Sequence, residues 1–350
     1  MSFPKYRWQP TSEEIAVAAG IQPEQVERFD HNTSPFPTDW ATDVVLRRSS
    51  RLNEYPAASY VSLREEVAAD TGLDPDSVIP GAGADELILL AARAFLAPGQ
   101  NAVMVDPTYP MYRIATAQVR GHTVSVDAQP PDFGFPVDEV IAAARDAEIV
   151  WLCVPSNPIG NRPGDEVIAA VIAATDGVVV LDAAYAQFSD DDWAPWVDRY
   201  HNLLVLHTMS KAYGLAGARV GYGLGHADLI AALDGVRPPG SISSLSVDLA
   251  VAALQAPDRM RLLVDATIEE RARLAGGLVD LGLRVMPSLT NFLLCELGPQ
   301  ARTVADGLMS EGLVSRTFPV DGSLASYLRF TVRSPAAHER LLSALQRRLS

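Results

Sequence analysis

Along the chain, short apolar runs alternate with segments whose apolar positions recur every three or four residues. The runs at 101–105, 122–126, 148–154, 177–181 and 203–207 are rich in Val and read as strands. Between most of them lie amphipathic helical patterns, at 85–95, 109–118, 137–145 and 166–174. Apolar strands alternating with amphipathic helices predict an α/β fold with a mostly parallel sheet sandwiched by helices. Thr11 followed by Glu14, and Ser62 followed by Glu65, have capping-box spacing and predict helices at 12–19 and 63–71. The span 232–245 is rich in Pro, Gly and Ser and reads as a boundary. Beyond it come helical patterns over 246–281, strands near 283–286, 292–296 and 326–332, and a closing helix over 336–349. That rhythm predicts a large domain over 41–235 and a smaller α+β domain built from 1–40 and 236–350.

Composition narrows the chemistry. The 350 residues are 48% hydrophobic, enough for a full core, and carry a net charge of −15. So acidic a surface repels phosphate backbones and anionic lipid, which argues against nucleic acid or membrane partners. No apolar run reaches the roughly 18 residues of a membrane span, and the first residues lack the apolar stretch of a secretion signal. A cytoplasmic location is the expectation. Cys153 and Cys295 are too few for a disulfide framework, and Cys153, set in an apolar run, reads as a buried free thiol. The six histidines show no metal-ligand spacing, so no metal is expected.

The basic residues are more telling. Of 28, only Lys5 and Lys211 are lysines; the other 26 are arginines. Arginine neither loses its proton near neutral pH nor forms a Schiff base, whereas lysine does both. A chain that otherwise uses arginine for positive charge and keeps Lys211 deep in its sequence points to a chemical role there.

In an open α/β sheet, ligands bind beyond the carboxyl ends of the strands. Those ends carry Tyr109, Asn157, Asp182 with Tyr185, and Ser210 with Lys211. Gly81-Ala-Gly-Ala-Asp-Glu, with Asp106 lying 23 residues beyond Gly83, imitates a dinucleotide fingerprint. Glu86 stands where close helix–strand packing needs the third glycine, so a nicotinamide cofactor is disfavoured. The helix start at Gly83-Ala84-Asp85 can still hold one phosphate, and Arg219 can add a bidentate contact. A phosphate site, a lysine able to form a Schiff base and the buried acid Asp182 are together what pyridoxal 5′-phosphate requires.

Asn157-Pro-Ile-Gly, Asp182-Ala-Ala-Tyr185 and Ser210-Lys211-Ala-Tyr-Gly-Leu-Ala-Gly-Ala-Arg219-Val-Gly resemble the fold-type I aminotransferases. Within them they are most similar to the histidinol-phosphate aminotransferase group. Tyr55-Pro56, Pro107-Thr-Tyr109-Pro-Met-Tyr112, Asn291-Phe292, Arg316 and Leu328-Arg329 extend the similarity over most of the chain.

The resemblance implies roles. Lys211 would hold the cofactor covalently and move the proton. Asp182 would pair with its ring nitrogen, Asn157 and Tyr185 would bond its ring oxygen, and Tyr109 would stack on the ring. Ala84, Asp85, Thr208, Ser210 and Arg219 would hold its phosphate. Tyr55 would reach the partner subunit's cofactor, which implies a homodimer. Arg329, with Asn291 and Asn32, would face the substrate carboxylate side, and Arg316 the distal group. The reaction implied moves an amino group from histidinol phosphate, or a related phosphorylated or aromatic amino compound, to a 2-oxo acid, in amino-acid biosynthesis. The alternative is a decarboxylase or carbon–carbon bond enzyme of the same fold, like the threonine-phosphate decarboxylases. Asn32-Thr-Ser-Pro35, Ala183, Arg333 and Arg7-Trp8-Gln9-Pro10 depart from the group's pattern; these positions bear on the substrate and leave the cofactor set intact.

Overall fold

The computed structural model describes residues 3–349. A seven-stranded sheet runs, in spatial order, Val78–Gly81, Gly221–Gly225, Leu203–Thr208, Val178–Asp182, Ile149–Cys153, Asn101–Asp106 and His122–Asp127. The last five strands are mutually parallel; Gly221–Gly225 runs antiparallel to both of its neighbours. Alternate residues face opposite layers. Val103, Val150, Val179 and Val205 enter one core, while Met104, Trp151, Val180 and Leu204 enter the other. This is the two-sided burial predicted for Val-rich parallel strands.

All five predicted strands form, and two more complete the sheet. Val78–Gly81 contains Pro80, and Gly221–Gly225 has three glycines, so neither carries a strong strand signal. Close approach explains Gly221. A Cβ there would lie 2.4 Å from the His207 carbonyl oxygen and 3.3 Å from the Ala84 nitrogen.

A second, antiparallel sheet has the order Tyr327–Thr331, Phe292–Glu296, Arg284–Val285. Leu293, Cys295, Leu328 and Phe330 pack there with Leu341 and Leu345 of the closing helix Pro335–Leu349. Phe29 joins this core, and Glu27–Arg28 pairs in parallel with Leu313–Val314, so the N-terminal segment is tied to the C-terminal layer.

Two expectations are corrected. The first capping box forms: Thr11 Oγ1 accepts from the Glu14 amide at 3.2 Å, and Glu14 returns the bond at 2.8 Å. The second does not. Its helix, Val61–Thr71, starts earlier, and Ser62 lies inside its first turn. The buried Tyr60 fixes that entry, because its hydroxyl accepts the Ile242 amide at 3.0 Å and Arg237 lies over its ring. The domain boundary expected at 235/236 also fails to match the cores. Ile242, Val247, Leu249, Ala250, Leu254 and Val264 belong to the large sheet's core. The helix Ser244–Leu254 packs on the helices Val61–Thr71 and Thr42–Ser49, so the cores divide within the helix Pro257–Asp280.

Among the described residues, no helix is long and apolar enough to cross a membrane. Both cysteines are free, and burial pushes the Cys153 and Cys295 thiols up to about 12.

Candidate active site

The polar residues at the carboxyl ends of the parallel strands converge. Asp182 closes the strand Val178–Asp182 and is 3% exposed. Its carboxylate accepts the Tyr112 hydroxyl at 2.7 Å and the Ala184 amide at 3.1 Å. Burial pushes its pKa up to about 6, against the lowering effect of those two donors. Tyr112, on the helix Met111–Gln118, is stacked on Trp151 with ring centroids 5.4 Å apart. Its neighbour Tyr109 meets it edge-on at 5.9 Å and donates to Asp85 at 2.8 Å.

Lys211 follows the strand Leu203–Thr208, and its Nζ lies 3.4 Å from the His31 carbonyl oxygen. Burial first, then the nearby Arg329, brings its pKa down to about 8, and Arg219 adds to the lowering. Asp85 and Asp182 act in the opposite direction without cancelling it. A site that partly discharges its lysine is suited to a nucleophilic amine.

The helix Gly83–Phe95 opens beside this lysine. Gly83 sits at φ +78°, and a Cβ there would lie 2.9 Å from Arg219 Nη2. Arg219, itself at φ +49°, reaches Ser210 Oγ at 3.4 Å and Asp85 Oδ2 at 3.0 Å. Thr208 Oγ1 donates to Ser210 Oγ at 2.9 Å. Two hydroxyls, a guanidinium and a helix N-terminus thus face one another, with the glycines keeping the approach open. That donor set fits a phosphate.

Opposite lies the N-terminal and C-terminal layer. Arg329 is 7% exposed; it donates to Asn157 Oδ1 and to the Asp30 carbonyl at 2.8 Å, and lies over the Phe292 ring. Its Nε is buried without a partner. Asn32 donates to the Tyr185 hydroxyl at 2.9 Å, and Tyr185 meets Phe292 edge-on. Arg316 lies over Tyr6 at 5.7 Å, and Tyr6 leans on Tyr109 at 6.5 Å, so residues near the N-terminus cover this side.

Most of the predicted residues come together here. Asn291 stands behind them, 1% exposed, with its amide donating to the Asn32 carbonyl at 3.0 Å. Tyr55 is apart, 94% exposed on the surface near Gly240. Reading the sequence missed Tyr112, Asp30 and Tyr6 as members of the site. Tyr112 had a usable signal, since it stands three residues after Tyr109. Asp30 acts through its backbone carbonyl, which no side-chain pattern reveals. Among the described residues, no group of three or more His, Cys, Asp or Glu could hold a metal ion.

Comparison with known proteins adds an independent line. Residues 27–345 match the family model "Aminotransferase class I and II". Histidinol-phosphate aminotransferase 1 of Thiobacillus denitrificans is 34% identical over 340 residues, covering 95% of this chain and 88% of that protein. Histidinol-phosphate aminotransferase 2 of Archaeoglobus fulgidus is 34% identical over 324 residues, covering 92% and 93%. Among solved structures, the histidinol-phosphate aminotransferase of Sinorhizobium meliloti in complex with pyridoxal 5′-phosphate superimposes with a TM-score of 0.90 at 27% identity, covering 98% of this chain and 95% of that one.

Proposed function

The chain belongs to the class I and II aminotransferases, and from that premise we propose that it moves an amino group from histidinol phosphate to a 2-oxo acid. It is a pyridoxal 5′-phosphate-dependent transaminase of fold type I. The observation that carries the reading is the convergence of Lys211, Asp182 and Arg219 on one site, with the lysine's pKa brought down to about 8.

When bound, pyridoxal 5′-phosphate supplies an electron sink for the bonds at the substrate's reacting carbon. In our reading the chain's own residues do the rest. The amides of Ala84 and Asp85, the hydroxyls of Thr208 and Ser210, and Arg219 hold the phosphate. Asp182 holds a proton on the ring nitrogen. Asn157 and Tyr185 would orient the ring oxygen, and Tyr109 would stack on the ring, a contact worth roughly 0.5–1.5 kcal/mol. Lys211 would anchor the cofactor and, as a free amine, would hold and move the proton at the substrate's reacting carbon. Arg329, oriented by Asn157 and the Asp30 carbonyl, fixes the polar group on the reacting carbon, with Asn32 and Asn291 shaping that wall. Arg316, nearer the covering segment, reads the distal phosphate.

We also propose a homodimer, in which Tyr55 reaches the partner's cofactor phosphate. The exposed Leu46, Leu52, Tyr55 and Val61 support a subunit contact on this face. The cytoplasm, where thiols such as Cys153 and Cys295 stay reduced, is the proposed location, and amino-acid biosynthesis the proposed setting. We keep a two-domain division, with the boundary moved into the helix Pro257–Asp280.

The test is kcat/KM for histidinol phosphate, phenylalanine and tyrosine with a common 2-oxo acid. Preference for histidinol phosphate supports the substrate; preference for an unphosphorylated amino acid rejects it and leaves the transaminase.

A further inference from the structure

Asp182 is held from two sides before any ligand arrives. One carboxylate oxygen accepts the Ala184 amide from its own turn. The other accepts the Tyr112 hydroxyl from the helix Met111–Gln118. Tyr112 is 1% exposed and its ring is locked parallel to Trp151, at an interplanar angle of 9°. Its hydroxyl therefore has little freedom to turn away, and the bond fixes the direction in which the carboxylate presents its remaining lone pairs.

We propose that Tyr112 is a positioning residue for the reaction: its hydroxyl pins the Asp182 carboxylate in the ionised, correctly aimed state that meets the cofactor's ring nitrogen. The proposal rests on the pyridoxal-phosphate reading above and deepens it. Burial raises the Tyr112 hydroxyl's pKa well above its ordinary value, so it acts as a donor and never competes as an anion.

The other groups facing Asp182 do not replace it. Cys153, its register neighbour on the adjacent strand, is a neutral thiol with its pKa pushed up to about 12. Asp85, from the helix Gly83–Phe95, raises the Asp182 pKa, and Lys211 lowers it as the smallest of the named influences. Tyr185 is also near, its hydroxyl accepting the Asn32 side-chain amide, and the hydrogen bonds that favour the Asp182 carboxylate come from Tyr112 and the Ala184 amide. Against the burial that favours a neutral acid, Tyr112 is the side-chain donor that favours the carboxylate.

The sign follows. Loss of the hydroxyl raises the proton affinity of Asp182. Cofactor affinity, which needs the carboxylate, should then begin to fall at a higher pH as the solution is acidified. Tyr112→Phe keeps the ring and its stack on Trp151 while deleting only the donor. The experiment measures the equilibrium affinity of the cofactor-free protein for pyridoxal 5′-phosphate from pH 5 to 9, in wild type, Tyr112→Phe, Asp182→Asn and the double variant, with the urea midpoint of each.

The expected result for Tyr112→Phe is about tenfold weaker binding at neutral pH, consistent with a lost hydrogen bond to a charged group. The acid midpoint should rise by about one pH unit. In the Asp182→Asn background, Tyr112→Phe should leave the midpoint unmoved. If Tyr112→Phe lowers the urea midpoint but leaves affinity and acid midpoint at wild-type values, the residue is structural and the inference is overturned. If it shifts the midpoint equally in both backgrounds, the effect does not pass through Asp182 and the inference is again overturned. Failure of the wild-type protein to bind the cofactor would instead overturn the reading on which this one rests.

Discussion

Arg316 and Arg329 are a reciprocal backbone pair: the amide of each donates to the carbonyl of the other, at 3.0 and 3.1 Å. Residues directly opposed in an antiparallel pair put their side chains on the same face, so two guanidiniums project together. Their surroundings then divide them. Arg329 is buried against Phe292, while Arg316 lies over the Tyr6 ring and donates to the Arg7 carbonyl at 3.4 Å. In the proposed function Arg329 is the one that meets the reacting end of a substrate, and Arg316 the one that meets its distal group.

This division predicts a selective defect. Arg316→Ala should raise KM for histidinol phosphate by roughly 10- to 100-fold, the loss of a charge-assisted bidentate contact. It should change KM for phenylalanine little. Steady-state kinetics on both substrates checks this, and an equal change for both would remove the phosphate-reading role.

Asp182→Ala should weaken cofactor binding by roughly 10- to 100-fold, since a buried charge-assisted hydrogen bond disappears. Turnover at saturating cofactor should fall further, because the ring nitrogen loses the group that keeps it protonated. Equilibrium dialysis and kcat measured side by side separate the two effects; unchanged values of both would assign the pairing to another acid.

The lowered pKa of Lys211 has a kinetic signature. The neutral amine is the nucleophile, so capture of pyridoxal 5′-phosphate by the cofactor-free protein should accelerate as pH rises and level off above the lysine's pKa. With that pKa at about 8, the plateau should be reached by pH 9. A rate still climbing at pH 10, as for an ordinary lysine, would mean the site does not discharge the amine. Stopped-flow mixing across this range decides it.

Gly221→Ala should disturb the frame rather than the chemistry. Its Cβ would lie 2.4 Å from the His207 carbonyl oxygen, a backbone atom that cannot swing aside. We expect a loss of about 1–3 kcal/mol in stability, with weaker phosphate binding because the Ala84 amide is also displaced. Urea unfolding and cofactor affinity report the two effects.

The sequence was most legible where burial is two-sided. Strands such as Val178–Asp182 announce themselves because every position must be apolar until the terminal acid. Val78–Gly81 and Gly221–Gly225 carry a weak strand pattern because Pro80 and the glycines satisfy close packing rather than strand propensity. The Pro- and Gly-rich stretch before Ser243 was a true turn region, yet the apolar face of Ser244–Leu254 returns the chain to the first core. In the site, Lys211 stood out through the near absence of other lysines, and Asp182 through its place at the end of an apolar run. Tyr112 and the Asp30 carbonyl stayed hidden because they work through orientation, which depends on neighbours far away in sequence. Tyr55, expected at the partner subunit's cofactor, lies on the surface of the single chain.

In the proposed function Lys211 serves as the amine of a transaminase acting on histidinol phosphate. The direct measurement is the half-reaction: purified protein loaded with pyridoxal 5′-phosphate, mixed with histidinol phosphate and no acceptor, followed by absorbance, with wild type beside Lys211→Arg. Wild type should convert its cofactor stoichiometrically to pyridoxamine phosphate, and added 2-oxo acid should reverse the change. Lys211→Arg, folded and with its charge kept, should show no conversion. Conversion by Lys211→Arg at the wild-type rate, or a wild-type protein that leaves the cofactor unchanged with histidinol phosphate, would contradict the account.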